Sequence, residues 1–165
     1  MVLALRYVYV LALVVWLGGM LILGALVAPT LFGVLQAADP ATGRALAGAA
    51  FGAALARFHY VAYTAGGLLV VTLTGMRILG PKPAAFAIRA LIVLVMLGIA
   101  IYSGTVVLER IDEIHAAVGV LPSRLPATDP RRIEFDALHV LSTRLMTANI
   151  IGALALIYWE AKEHS

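Results

Sequence analysis

Four long apolar segments limit what this chain can fold into. They cover residues 5–27, 58–79, 86–108 and 138–159. Each has about 20 residues, the length that an α-helix needs to cross roughly 30 Å of hydrocarbon. Helices and closed barrels are the folds that satisfy their backbone hydrogen bonds in lipid, and continuous Leu, Val and Ala runs lack the alternation of barrel strands. The segments therefore predict an all-α integral membrane protein, a four-helix up-down-up-down transmembrane bundle that forms one domain over residues 1–165.

The composition supports a membrane protein and excludes two other classes. Of the 165 residues, 62% are hydrophobic and 13% are charged, whereas a soluble domain carries about 25% charged residues. The chain has no cysteine, so neither a disulfide framework nor a thiolate metal site is possible. Its net charge of +3 is spread over segment ends, which indicates contact with lipid headgroups rather than with nucleic acid. The expected partners are the lipid bilayer and either another membrane protein or a second copy of the chain.

The connections between the segments predict the topology. Asp39-Pro40 is a turn signal, and the helix-forming stretch after it predicts that the second helix begins before the membrane. A Gly-Pro turn joins the second and third segments, and a charged extension with a proline-containing loop follows the third. Four spans place both termini on one side. The short turn on that side carries Arg77, Lys82 and Arg89, which predicts a cytoplasmic location for it in a bacterial inner membrane.

The fourth segment carries a polar stripe. At 100° per residue, six polar side chains fall within an arc of about 160°. Because a polar group that faces lipid raises the free energy of the folded state, this arc is expected to face the interior of the bundle. Arg144 lies outside the arc, and it either snorkels to the membrane surface or pairs with an acid on a neighbouring helix. The members of the stripe are Asp136, His139, Ser142, Thr143, Thr147 and Asn149.

An ionisable group at membrane depth suggests a functional site, and His139 is such a group. We expect a buried polar hub around it, formed by His139, Ser142, Asn149, Asp136 and Glu109. The favoured interpretation needs no cofactor, because neighbouring side chains can satisfy both ring nitrogens.

A metal site is the alternative to this hub. Three residues lie near helix ends at similar predicted depth: His59, His139 and Glu109. Two imidazoles with a carboxylate suit a transition metal, and two imidazoles alone can hold the iron of haem b. No spacing motif links the three residues. His115 and His164 lie in a loop and in the tail, where we expect them to be exposed to solvent.

Glycines next to large side chains predict helix contacts in the first two helices. Trp16 lies beside Gly18 and Gly19, and the second helix carries Gly66 and Gly67. Small residues allow close backbone approach. Trp16 is therefore interpreted as a packing residue, with stacking on a cofactor as the alternative.

Two stretches of the chain resemble a known family. The first stretch is VVWLGGMLILGALVAPTLF, which contains Trp16, Gly18, Gly19, Pro29 and Phe32. The second stretch is FDALHVLSTRLMTANIIG, which contains Phe135, Leu138, His139, Ser142 and Asn149. With these motifs the chain resembles the domain-of-unknown-function 4149 family, which includes the transmembrane protein 205-like proteins. The resemblance implies a four-span membrane fold and supplies no reaction. A looser similarity of the WLGG stretch to small haem-binding and copper-handling four-helix membrane proteins supports only the cofactor alternative.

Three classes of function follow from these observations. The favoured one is a structural or accessory membrane protein that binds a partner or a lipid. The second is a haem- or metal-binding protein that uses His59 and His139. The third is a transporter that acts as an oligomer, because the helix halves on the side of the termini are nearly bare of polar groups and leave no path through one copy. The sequence offers no nucleophile–base pair that we can name, so we do not expect an enzyme.

Overall fold

Four long helices form the structure, a computed structural model that describes residues 1–80, 83–118 and 121–162, apart from the side chain of Ser123. Each helix contains one of the predicted spans and is long and apolar enough to cross a membrane. The predicted all-α four-helix membrane bundle is thereby confirmed. Pro81 and Lys82 of the predicted Gly-Pro turn, and His164, lie outside the described residues. The helices are α1 (Val2–Ala38), α2 (Gly43–Leu79), α3 (Phe86–Val118) and α4 (Pro130–Lys162), and a 3-10 turn covers Pro122–Arg124.

The helices extend beyond the predicted spans at one end of the bundle. This end, which we call the loop end, holds the turn between α1 and α2 and the 3-10 turn. An Asp39 side-chain oxygen accepts the backbone N–H groups of Ala41 and Thr42 at 2.8 and 3.2 Å. The Thr42 hydroxyl donates to the other oxygen, and these bonds, the hydroxyl first, lower the pKa of Asp39. The predicted turn and the early start of α2 are therefore both present.

The helices form a closed ring. Each packs on its neighbours in chain order, and α4 packs back on α1. Trp16 packs beside Gly66, where a Cβ atom would lie 3.2 Å from the indole ring. The close helix contact expected at these residues is therefore present. Most of the core lies towards the terminal end of the bundle, which we define as the end with Met1 and Lys162; its fully buried members include Tyr9, Leu13, Leu69, Leu73, Val93, Met96, Ala153 and Leu156.

An ionic cluster closes the terminal end. Arg89 of α3 is completely buried, and its Nη2 donates to Glu160 Oε2 of α4 at 2.5 Å. Arg6 of α1 donates to the other oxygen of the same carboxylate. The Arg89 guanidinium also lies 4.9 Å from the ring centroid of Tyr9. Three helices thus meet on one carboxylate, and the start of α1 and the end of α4 lie at the same end of the bundle.

This cluster corrects the expectation that the terminal half is nearly bare of polar groups. The sequence pattern assigned Arg89 to a basic turn, whereas the structure buries it against Glu160. A buried cation is tolerated when a carboxylate pairs with it and hydrogen bonds satisfy its remaining donors. Pairing with Glu160 explains why two arginines, Arg6 and Arg89, are tolerated at an end of the bundle whose helices are otherwise apolar.

We expect the substitution Glu160→Ala to destabilise the protein by about 3–5 kcal/mol, because it leaves a buried arginine without its carboxylate. The matched control is Glu134→Ala, which removes an exposed pair with Arg110 (side chains 41% and 49% exposed) and should cost no more than about 1 kcal/mol. Denaturant unfolding of the purified protein in detergent measures both. Equal losses would contradict a dominant role for the buried cluster.

Candidate functional site

A cavity of about 1100 Å³ opens between the helices at the loop end. All four helices and the 3-10 turn contribute to its wall. Aromatic and aliphatic side chains form most of the lining, including Trp16, Met20, Phe32, Phe51, Phe58, Phe135 and Met146. The polar side chains that reach it are Arg44, His59, Ser103, His115, Asp136, His139, Ser142, Thr143 and Asn149.

The polar stripe of α4 forms one wall of the cavity. Five of its six predicted members line the space, and the exception is Thr147. The Thr147 hydroxyl donates instead to the carbonyl oxygen of Thr143 at 2.9 Å within the same helix. Arg144 is exposed and lies outside the cavity lining. The stripe therefore faces an open space inside the bundle rather than a closely packed neighbour.

The predicted buried hub does not form around His139. His139, Asp136 and Glu109 are all exposed, and Glu109 is outside the cavity lining. Asp136 lies 3.8 Å from Arg132, one helical turn away. The space that a hub would fill is the cavity, so His139 faces open volume instead of hydrogen-bonding neighbours. Within the stripe, Ser142 is half-buried and Asn149 is only 5% exposed, whereas Thr143 and Thr147 are exposed.

The two histidines of the predicted metal site share the cavity, whereas Glu109 does not. The described part of the chain contains no group of three or more His, Cys, Asp or Glu residues that could hold a metal ion. His59 is 8% exposed, and its Nδ1–H donates to the carbonyl oxygen of Leu55 at 2.9 Å. In the neutral ring this bond leaves Nε2 as the nitrogen with a free lone pair.

His115 is half-buried rather than solvent-exposed as expected. It lies on the extension of α3, where its ring centroid is 5.2 Å from that of Phe135. Phe135 in turn stacks on His139 at 6.4 Å. These three rings connect α3 and α4 at the cavity. The helical spacing of Ile111, Ile114 and His115 on one face was the available signal that His115 points inward.

Each of α1 and α3 contains a π-helical turn, at Leu23–Val27 and Ser103–Val107 respectively. Residues of both turns line the cavity. π-turns insert one residue into an α-helix and occur frequently at functional sites. In the second one, a Cβ atom on Gly104 would lie 2.7 Å from His59 Cδ2 and would collide with the Tyr63 hydroxyl. Sequence reasoning did not identify these turns, and the glycine within an apolar run was the one signal for the second.

The substitution Gly104→Ala is expected to destabilise the protein by about 1–3 kcal/mol, because the added methyl group overpacks the contact with α2. Gly98→Ala in the same helix is the control, since nothing lies within 4 Å of its added Cβ. That change should be neutral or stabilise by up to about 1 kcal/mol through helix propensity. Thermal unfolding in detergent compares the two, and a stabilised Gly104→Ala variant would refute the close contact.

Comparison with known proteins links the chain to a sequence family. The sequence model of a family described as "Domain of unknown function (DUF4149)" matches residues 11–118. This range covers most of α1, all of α2 and α3, and the first stretch that carried the resemblance, whereas the polar stripe of α4 lies beyond it. No curated protein matches the chain. No solved structure matches it either.

Proposed function

The chain belongs to the DUF4149 family, whose function is unknown, and we propose that it is a membrane protein that binds an amphipathic, mostly apolar small molecule in its loop-end cavity. This proposal develops the expected lipid-binding role. It describes a binding protein and not an enzyme, and the ligand is a lipid-like molecule drawn from the surrounding bilayer.

The proposal rests on the lining of the cavity, which is apolar on one side and polar on the other. Pockets for small molecules measure about 300–1,000 Å³ and are mostly apolar, with a few polar groups that fix orientation. The cavity here is slightly larger than that range, which suits a molecule of lipid size. Trp16, Phe51 and Phe58 offer an apolar wall, while the α4 stripe opposite offers hydrogen-bonding groups.

A side chain that fills the cavity should compete with the ligand. Gly48 and Gly52 line the cavity, and no atom lies within 4 Å of a Cβ built on either. We expect Gly48→Phe and Gly52→Phe to lower the affinity for the bound molecule by at least about tenfold, or roughly 1.4 kcal/mol. Extraction and mass spectrometry of lipid that copurifies with the protein, relative to protein amount, measures the loss.

Gly33→Phe provides the matched control for these variants. Gly33 is exposed and outside the cavity lining, and it also has open space around its Cβ position. This variant should retain the bound molecule. Equal retention in all three variants would refute binding in this cavity.

Haem or transition-metal binding is the second candidate. One observation favours it: His59 and His139 line the same cavity, and the Leu55 carbonyl holds His59 so that Nε2 is free to bind a metal. Hydrogen bonds of this kind to the other ring nitrogen orient metal-binding histidines in many proteins. Two imidazoles suffice for the iron of haem b.

An absorption spectrum and metal analysis of the purified protein test this second candidate. A Soret band or a stoichiometric metal should be present, and His59→Ala and His139→Ala should each abolish it. His115→Ala, which changes a third histidine of the same cavity, should leave it intact. Absence of both signals from the parent protein would eliminate this candidate and leave lipid binding unaffected.

We also propose an orientation in which the terminal end faces the cytoplasm of a bacterial inner membrane. Arg77 near the turn between α2 and α3, together with Lys82, supports it through the positive-inside rule. Arg89 contributes less than its sequence position suggests, because its charge is paired with Glu160 inside the bundle. A second copy of the chain or another membrane protein remains a proposed partner.

A further inference from the structure

We infer that Asn149 selects the bound molecule through a hydroxyl group, and that the cavity takes a neutral lipid-like molecule with a free hydroxyl at its buried end. A long-chain alcohol is the simplest member of this class. The inference rests on the proposed function, because it specifies the chemistry of the ligand in the same cavity.

The side-chain oxygen of Asn149 is buried, and it has no hydrogen-bond partner among the described residues. The residue is 5% exposed, it lines the cavity, and its Oδ1 bonds to no described residue. Buried polar atoms in folded proteins nearly always have a partner. In hydrocarbon the requirement is more severe, because no bulk water can replace a missing bond. The unpaired acceptor therefore indicates a donor that belongs to the bound molecule.

A hydroxyl group fits this amide better than other common lipid groups. An amide end presents one acceptor and one N–H₂ donor group, and a hydroxyl can donate to the first and accept from the second. An ester or ether oxygen can only accept, so it leaves Oδ1 unpaired. Hydrocarbon satisfies neither atom.

The position of Asn149 argues against a charged group at the buried end. Asp136 and Asn149 are 13 residues apart on α4, which corresponds to about 20 Å along a helix. Arg44 lies on the first turn of α2, at the loop end. A carboxylate or phosphate bound at Asn149, which is only 5% exposed, would lose its hydration. A neutral group avoids that cost.

Quenching of Trp16 fluorescence tests the inference. The chain has two tryptophans, so the substitution Trp159→Phe leaves Trp16, which is 1% exposed and lines the cavity. The probes are 9,10-dibromooctadecan-1-ol and its methyl ether, which differ only in the hydroxyl proton and a methyl group. We expect the alcohol to quench with about fivefold higher affinity, the factor contributed by one hydrogen bond. Asn149→Leu should remove this preference, and Thr147→Val, outside the cavity on the same helix, should preserve it.

The outcomes separate the inference from the proposed function. Equal quenching by alcohol and ether in the parent protein would overturn the hydroxyl assignment and leave the cavity as a lipid site. If neither probe quenches Trp16, both the hydroxyl assignment and the lipid-binding proposal are overturned, and water is left as the partner of Asn149. The comparison of the two probes needs no change at Asn149, so it decides the matter even if Asn149→Leu fails to fold.

Discussion

The shared carboxylate of Glu160 is the interaction on which the rest of the bundle depends. It joins α1, α3 and α4 at the terminal end through Arg6 and Arg89, and the apolar core lies next to it. Helices in lipid gain little from apolar contact alone, because lipid tails are as apolar as leucine. A paired charge and close packing at small residues therefore do more to hold these helices together than they would in water. With one end closed in this way, the other end can remain open.

The open end is shaped by departures from regular α-helix. The π-turns in α1 and α3 both border the cavity. Gly104, inside the second one, allows α3 to approach His59 and Tyr63 of α2 closely. This contact fixes the position of His59 on one wall, while α4 presents its stripe on the opposite side. The cavity thus results from the backbone geometry of several helices and not from a single loop.

The fold could be predicted from the sequence because hydrocarbon imposes a simple rule on length and polarity. Four apolar runs gave four helices, and the Asp39-Pro40 signal gave the turn between α1 and α2. The site was less predictable, since helical periodicity gives the direction of a side chain and not what lies opposite. The stripe of α4 was placed on an interior arc, yet the burial expected for His139 did not follow, because a cavity occupies that volume. The pairing of Arg89 with Glu160 was missed because it joins residues 71 positions apart.

The length of the helices has a consequence for the environment of the cavity. With 37 residues, α2 spans about 55 Å, so it exceeds the roughly 30 Å of bilayer hydrocarbon by nearly half its length. With the hydrocarbon at the predicted spans, Trp16 and Asn149 lie inside the bundle at the depth of the acyl chains, whereas Arg44 lies beyond the headgroups. Phe51 and Phe32 continue the apolar wall into that outer region. An apolar molecule that leaves the bilayer meets water abruptly at the membrane surface. Inside the cavity, its transfer from hydrocarbon to water would instead take place gradually, along the apolar wall.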